Sequence, residues 1–343
     1  MLQKKRIEEV NALRALAILL IISHHSFAIF QPKGWVVNFF VPQFAPYAYL
    51  SMLLRNVGLP LFIFLSGYIF QYQYVTNKKE LLTGKFLLNK LQRLLVPAII
   101  FGILYMVILG NIREDIKNIP LLIYKLLNGT DHLWFLPMLF WCFVFICLLK
   151  SLYNKPVYIL AISFIMVPFS LFLPEDWSIA KALYHFSYFA LGFYVMANKP
   201  YLQALLKNKL ILLLILILFL SFFSMYFKLV YFNHSGGMVD KLLNNGCHFI
   251  ANILGTTLVY LITIKIVHSQ WQLNSILLQI SIASFGMYLI QEFILKLLLQ
   301  NSVFYNHINI WMVPFVLFLI TVPLSFFLTK ILLKINLFKK IIG

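Results

Sequence analysis

Charge is scarce in this chain. Asp, Glu, Lys and Arg together make up 11% of its 343 residues, while 62% are hydrophobic. An ordinary soluble domain is about 25% charged and about 45–50% apolar. So thin a polar cover excludes a soluble enzyme, and so rich an apolar content excludes disorder. Acidic residues are rarest, 10 against 28 Lys and Arg, which leaves a formal charge of +18. In a soluble chain that excess would suggest nucleic acid. In an apolar chain it marks the cytoplasmic flanks of membrane spans, and no nucleic-acid partner is expected. Cysteine is also scarce. Cys142, Cys147 and Cys247 lack metal-ligand spacing and read as small core residues. No internal repeat, low-complexity linker or cleavable signal is evident.

What the chain has is long apolar runs of helical length, which argue against a β-barrel with its two-residue alternation. Ten of them approach the ~20 residues that cross a bilayer. They cover 8–30, 57–75, 95–111, 133–150, 156–173, 182–197, 209–228, 247–267, 276–298 and 310–333. The expected fold is therefore an all-α integral membrane bundle of about ten transmembrane helices, forming a single domain over 1–343. With the N-terminus inside, 18 cations fall on the cytoplasmic side and 9 outside, which predicts that both termini are cytoplasmic. The stretch Gly84–Leu95 carries Lys85, Lys90 and Arg93 among leucines. It reads as an interfacial segment, either a basic anchor or a cationic floor for an anionic cosubstrate.

The first span holds the most informative residues. An intramembrane arginine is costly and needs a polar cavity, a partner or a snorkelling route. Arg14 and His25 are eleven residues apart, about 1100° of helix rotation, so they share one face ~16 Å apart along the axis. Histidine can act as a general base near neutral pH, and arginine binds phosphate or carbonyl oxygens. Proton-coupled transporters also place Arg and His in the membrane, so a transporter or polysaccharide exporter with a proton relay is the alternative reading.

Six segments in order resemble the acyltransferase 3 family of integral membrane acyltransferases. Arg14, ten residues and His25 look like its first-helix signature. Val57-Gly-Leu-Pro-Leu-Phe-Ile-Phe-Leu-Ser66-Gly67-Tyr68 resembles its Pro-Leu-Phe-Phe-x-Leu-Ser-Gly-Phe segment. Lys90-Leu-Gln-Arg93-Leu-Leu-Val-Pro97 is similar to its Arg-Leu-Leu-x-Pro stretch, and His132-Leu-Trp134-Phe-Leu-Pro137 to its His-Leu-Trp-Phe-Leu-Pro segment. Tyr188-Phe-Ala-Leu-Gly192 and Ser284-Phe-Gly286-Met-Tyr288-Leu-Ile-Gln291 resemble two further segments.

The resemblance implies a multi-pass enzyme of a bacterial cytoplasmic membrane. It would take an acyl group, usually acetyl, from cytoplasmic acyl-CoA to a hydroxyl of a cell-surface polysaccharide, its precursor or another extracytoplasmic glycan. Acyl-CoA would be a cosubstrate, with no bound cofactor or metal, and the bilayer and the glycan would be its other partners. By the same resemblance His25 is the catalytic base or acyl relay and Arg14 a donor-side contact. Ser66, Lys90, Arg93, His132 and Trp134 carry over as further site residues.

One departure stands out. Gln291 occupies the family's ninth-span histidine position, followed by Glu292 where proline is common. An amide hydrogen-bonds but moves no proton at neutral pH. Glu292 either replaces the missing base or pairs with Lys296 at i,i+4. Ser284, Tyr288 and Gln291 form one polar face, for substrate or for helix–helix hydrogen bonds. His132 and Trp134 at the end of a span either anchor the interface or orient an acceptor sugar. His185, His234, His248, His268 and His307 are scattered without metal spacing and read as structural.

Overall fold

Every backbone polar group of an apolar span must be paired within the chain, and a helix achieves this locally. The computed structural model describes residues 8–32, 34–78, 81–109, 117–174, 177–201, 208–232, 237–268, 275–301 and 306–342, and no strand occurs among them. Several cations used to orient the chain, Lys4, Lys5, Arg6, Lys33, Lys79, Arg113 and Lys207, lie outside these residues. So do His234 and the side chains of Lys241 and His268.

The chain forms two compact units, Met1–Phe62 with Pro200–Thr329, and Ile63–Lys199 with Lys330–Gly343. The first contains α1 (Glu8–Ser26), the start of α2 (Ala45–Gln71), α8 (Lys209–Tyr231), α9 (Met238–His268), α10 (Ser275–Gln300) and nearly all of α11 (Val313–Leu332). Within it α1 packs on α9 and α10, and α8 on α9. The second contains the remainder of α2, α3 (Thr83–Ile108), α4 (Ile119–Asn128), α5 (Phe135–Leu148), α6 (Pro156–Phe169), α7 (Ser178–Ala197) and α12 (Asn336–Ile342). Here α7 packs on α5 and α6, and α3 on α5 and α12.

Local chemistry places several helix ends. The side-chain oxygen of Asn118 accepts from Leu121 N at 3.2 Å to cap α4, and that of Asn208 accepts from Leu210 N at 2.9 Å to cap α8. Pro156 opens α6, where its missing N–H costs nothing. Pro60, Pro97 and Pro323 lie inside helices, so apolar surroundings carry these helices through prolines that would break a soluble one.

Seven helical stretches are long and apolar enough to cross a membrane: Ala45–Thr76, Thr83–Ile108, Asp131–Leu148, Lys209–Tyr231, Leu242–Val267, Ser275–Gln300 and Val313–Leu332. The other three expected spans coincide with α1, α6 and α7. α6 is short. α1 and α7 have the length, at 19 and 20 residues, but polar side chains such as Asn11, Arg14, His24 and His25, or Lys181 and His185, dilute them. Two boundaries differ from expectation. α2 starts twelve residues before 57, because Ser51 and Asn56 are buried in a helix whose polar composition hides it from an apolar scan. Gly84–Leu95 is not a separate segment but the first turns of α3, continuous through Pro97. α4 was not anticipated. It is ten residues long, with Ile119, Leu121, Ile123 and Leu127 exposed, the form of a surface-lying amphipathic helix.

The outer surface is itself apolar. Along α8, Leu210, Leu213, Leu214, Ile217 and Leu220 are exposed while Phe219, Phe223, Tyr226 and Phe227 pack inward on Ala48, Met52, Val57, Ala251 and Leu258. A helix apolar on both faces belongs in lipid.

Candidate active site

The sequence puts His25 on the same face of α1 as Arg14, and the structure decides what meets it. Helices α1 and α10 run parallel: Ser281 Oγ donates to Asn11 Oδ1 at 3.2 Å near one end, and the Gln291 amide meets His25 near the other. His25 is the last but one residue of α1, its side chain 14% exposed, and Arg14 is half-buried.

The Gln291 amide is fully buried and places both its atoms against Nδ1 of His25, Oε1 at 3.0 Å and Nε2 at 2.8 Å. The two contacts imply opposite tautomers. If Nε2 donates, Nδ1 gives up its lone pair and the ring proton sits on Nε2. If Nδ1–H donates to Oε1, the basic lone pair of the imidazole is on Nε2. Glu292 decides between them. Its Oε2 lies 3.9 Å from the same Nδ1, and a carboxylate favours a proton on the nitrogen it faces. The Nδ1–H form follows, with the basic lone pair of Nε2 directed away from Gln291.

Glu292 has a second partner. Its Oε1 is 2.9 Å from Lys296 Nζ, one turn along α10, so the carboxylate serves the i,i+4 pair and backs His25 together. Lys296 Nζ in turn lies 5.4 Å from the ring centroid of Trp35, and that ring is 5.4 Å from the imidazole of His25. Glu292 is almost completely buried, while Lys296 keeps 20% of its side chain exposed. Lys296→Met removes the bonded cation from a buried carboxylate and is expected to lower stability by about 1–3 kcal/mol. Adding Glu292→Gln should recover most of that loss. Thermal unfolding of the single and double variants measures the coupling, and additive losses would show that the pair carries none.

Sequence reasoning missed the support on the other side of α1. His24 Nδ1 is 3.1 Å from both the carbonyl oxygen and Oγ of Ser51. Ser51 Oγ donates to His24 O at 2.9 Å, and Gln31 Nε2 donates to Ser51 Oγ at 2.8 Å. His24 and Ser51 are buried. Their bonds pin the last turn of α1 to α2 and so fix the direction in which His25 leaves the helix. Trp35 was missed too, since a tryptophan in an irregular loop carries no periodic signal, whereas the i,i+4 spacing announced the Lys296–Glu292 pair.

The other expected residues of this unit serve the helix more than the imidazole. Ser284 Oγ donates to Ser281 O at 2.8 Å, a bond to its own backbone, and Tyr288 is buried. Of that polar face, Gln291 is hydrogen-bonded to His25.

Ser66, Lys90, Arg93, His132 and Trp134 belong to the second unit. Ser66 is half-buried beside Gly67. Lys90 Nζ stands 4.0 Å from the centroid of Phe143 and 5.4 Å from that of Phe86, a partly buried cation–π contact, while Arg93 is exposed. Of the two, Arg93 presents its charge outward. His132 is buried with its ring 6.1 Å from that of Tyr105. Trp134 lies 5.4 Å from His185 and 5.1 Å from Lys181 Nζ. His185 Nδ1–H donates to Lys181 O at 2.7 Å, a bond to its own helix, in keeping with a structural role. The turn that carries His132 and Trp134 needs Gly129 at φ +81°, where a Cβ would lie 2.6 Å from Trp134 Cα, and holds Asp131 at φ +47°.

Among the described residues no three His, Cys, Asp or Glu side chains gather as a metal site, and Cys142, Cys147 and Cys247 are free and buried.

No curated protein and no solved structure shows a significant match to the chain. The sequence model of the acyltransferase domain family, acyltransferase 3, matches residues 7–330, nearly the whole chain and both units. An all-helical protein with seven stretches long and apolar enough to cross a membrane suits that match, and the chain belongs to the acyltransferase 3 family.

Proposed function

We propose that this protein moves an acetyl group from cytoplasmic acetyl-CoA to a hydroxyl of a cell-surface polysaccharide, its precursor or another extracytoplasmic glycan. The observation that carries the reading is the His25 site: an imidazole whose Nδ1 is held by Gln291 and backed by Glu292, leaving Nε2 as the base. In this reading Nε2 takes the proton of the acceptor hydroxyl as its oxygen attacks the thioester carbonyl. The C–O bond forms, the C–S bond breaks, and the imidazolium returns the proton to the CoA thiolate. Glu292 supplies the counter-charge while the ring is cationic, and Arg14, ~16 Å away along α1, contacts the phosphate end of the donor.

In the same reading α1, α6 and α7 cross the bilayer with the seven long apolar stretches, both termini face the cytoplasm, and the membrane is a bacterial inner membrane. The lysine and arginine distribution supports that orientation. Membership of an acyltransferase family favours group transfer over the transporter reading.

Purified protein in liposomes, given radiolabelled acetyl-CoA and extracted envelope glycan, is expected to place label on the glycan. Passage of unmodified glycan without acetyl-CoA, with no label incorporated, would overturn the reading.

A further inference from the structure

Partial exposure divides the His25 site into a back and a front. Gln291 and Glu292 are closed off behind the imidazole, at 0% and 2% exposed, whereas His25, Lys296 and Trp35 are only partly buried. A substrate can reach the second group. Of its three members, Trp35 has no part in proton transfer and has so far been given no role.

Its position is set with some force. The chain leaves α1 through the short turn Ala28–Phe30, with Phe30 N donating to Phe27 O at 3.1 Å, Gln31 N to Ala28 O at 3.2 Å and Gly34 N to Gln31 O at 3.0 Å. A Cβ at Gly34 would fall on the carbonyl oxygen of Ala28, so the turn closes this tightly only with glycine. Ile29 and Phe30 anchor the turn in a buried cluster with Leu295, Leu299, Val313 and Leu317, and the Trp35 side chain packs against that cluster. The indole is thus held beside the base by a preorganised loop.

We propose that Trp35 is the stacking platform for the acceptor, holding a pyranose ring so that one of its hydroxyls meets Nε2 of His25. The inference rests on the acetyl-transfer reading above and adds the residue that selects the acceptor. The indole and imidazole centroids are 5.4 Å apart and their planes open at 49°. A ring stacked on the indole at a contact distance of about 3.5–4 Å turns its edge, where the hydroxyls are, toward the imidazole. The C–H face of a pyranose is slightly positive and apolar, which suits the negative face of an indole. Lys296, its Nζ 5.4 Å from the indole centroid, adds a charged donor beside the plate for neighbouring hydroxyls. An acyl chain would use the indole alone and a phosphate the ammonium alone, whereas a sugar uses both.

The test uses the full chain in nanodiscs, radiolabelled acetyl-CoA, and cellotetraose and chitotetraose as soluble acceptors. Trp35→Ala is expected to raise the acceptor KM at least about 10-fold, the loss of one aromatic anchor, with a much smaller change in the acetyl-CoA KM. Trp35→Phe keeps a ring and should stay within about 3-fold of wild type. An unchanged acceptor KM in Trp35→Ala, or an equal rise in the acetyl-CoA KM, overturns the platform. Binding is read separately in His25→Ala protein, which needs no transfer. There the oligosaccharides should quench a fluorescence component that disappears with Trp35, and absence of that quench also overturns the proposal. If the acetyl-transfer reading fails but the platform holds, wild type transfers no label and the Trp35-dependent quench persists.

Discussion

Alanine in place of His25 is expected to lower acetyl transfer by about 10²–10⁴-fold, the range a positioned general base supplies. The loss should fall on turnover, because the imidazole lies at the front of the site while Gln291 and Glu292 lie behind it. The substitution also strands the Gln291 amide, which is fully buried and bonded to the ring at 2.8–3.0 Å. That costs about 1–3 kcal/mol of stability, so transfer must be compared on protein shown by its unfolding temperature to be folded. Gln291→Leu separates holding from catalysis. It leaves the base in place but frees its tautomer, and a loss of about 10-fold is expected, well short of the alanine variant. Folded His25→Ala protein with full label transfer to glycan would refute the assigned role.

Gly67→Ala is expected to destabilise the protein by more than about 3 kcal/mol, beyond the usual cost of overpacking. A Cβ at Gly67 would fall on the carbonyl oxygen of Phe189, and one at Gly192 on that of Phe64. The two glycines are reciprocal: α2 and α7 touch backbone to backbone at this crossing, as small residues permit in membranes. The oxygens cannot rotate away as a side chain would, so the helices must separate and lose dispersion contacts along their length. Gly192→Ala should behave alike. Gly246→Ala is the contrast, since nothing lies within 4 Å of a Cβ there. In a helix interior that change is expected to stabilise by up to about 1 kcal/mol. Thermal unfolding in detergent orders the three variants. Equal effects at Gly67 and Gly246 would mean that the close crossing is not what Gly67 supplies.

These two predictions differ in how far the sequence reaches. The apolar scarcity of charge fixes the class of fold, and the runs locate most of the helices. It misses the start of α2 and the whole of α4, because Ser51, Arg55 and Asn56 interrupt the first and ten residues are too few to look like a span. Arg14 and His25 are legible as a pair because helix rotation is a local rule that needs no partner. The resemblance to acyltransferases is legible for the same reason, since short ordered motifs survive without knowledge of packing.

The choice between Gln291 and Glu292 is not local. The two are neighbours on α10, and the sequence leaves open whether Glu292 replaces a base or pairs with Lys296. In the folded chain it pairs with Lys296 and also backs Nδ1, while Gln291 makes the hydrogen bond across 266 residues of separation. Likewise Gly67 and Gly246 are both helical glycines in an apolar sequence, yet one carries a backbone crossing and the other faces open space. Trp35, with no periodicity around it, becomes visible only beside His25. By itself, then, the sequence determined an all-helical membrane acyltransferase and the helix face shared by Arg14 and His25, because composition and rotation per residue act within one segment. Which groups surround His25 was decided by the packing of α1 on α10 and by the turn after α1, because contacts between distant segments depend on how helices approach and not on the pattern along any one of them.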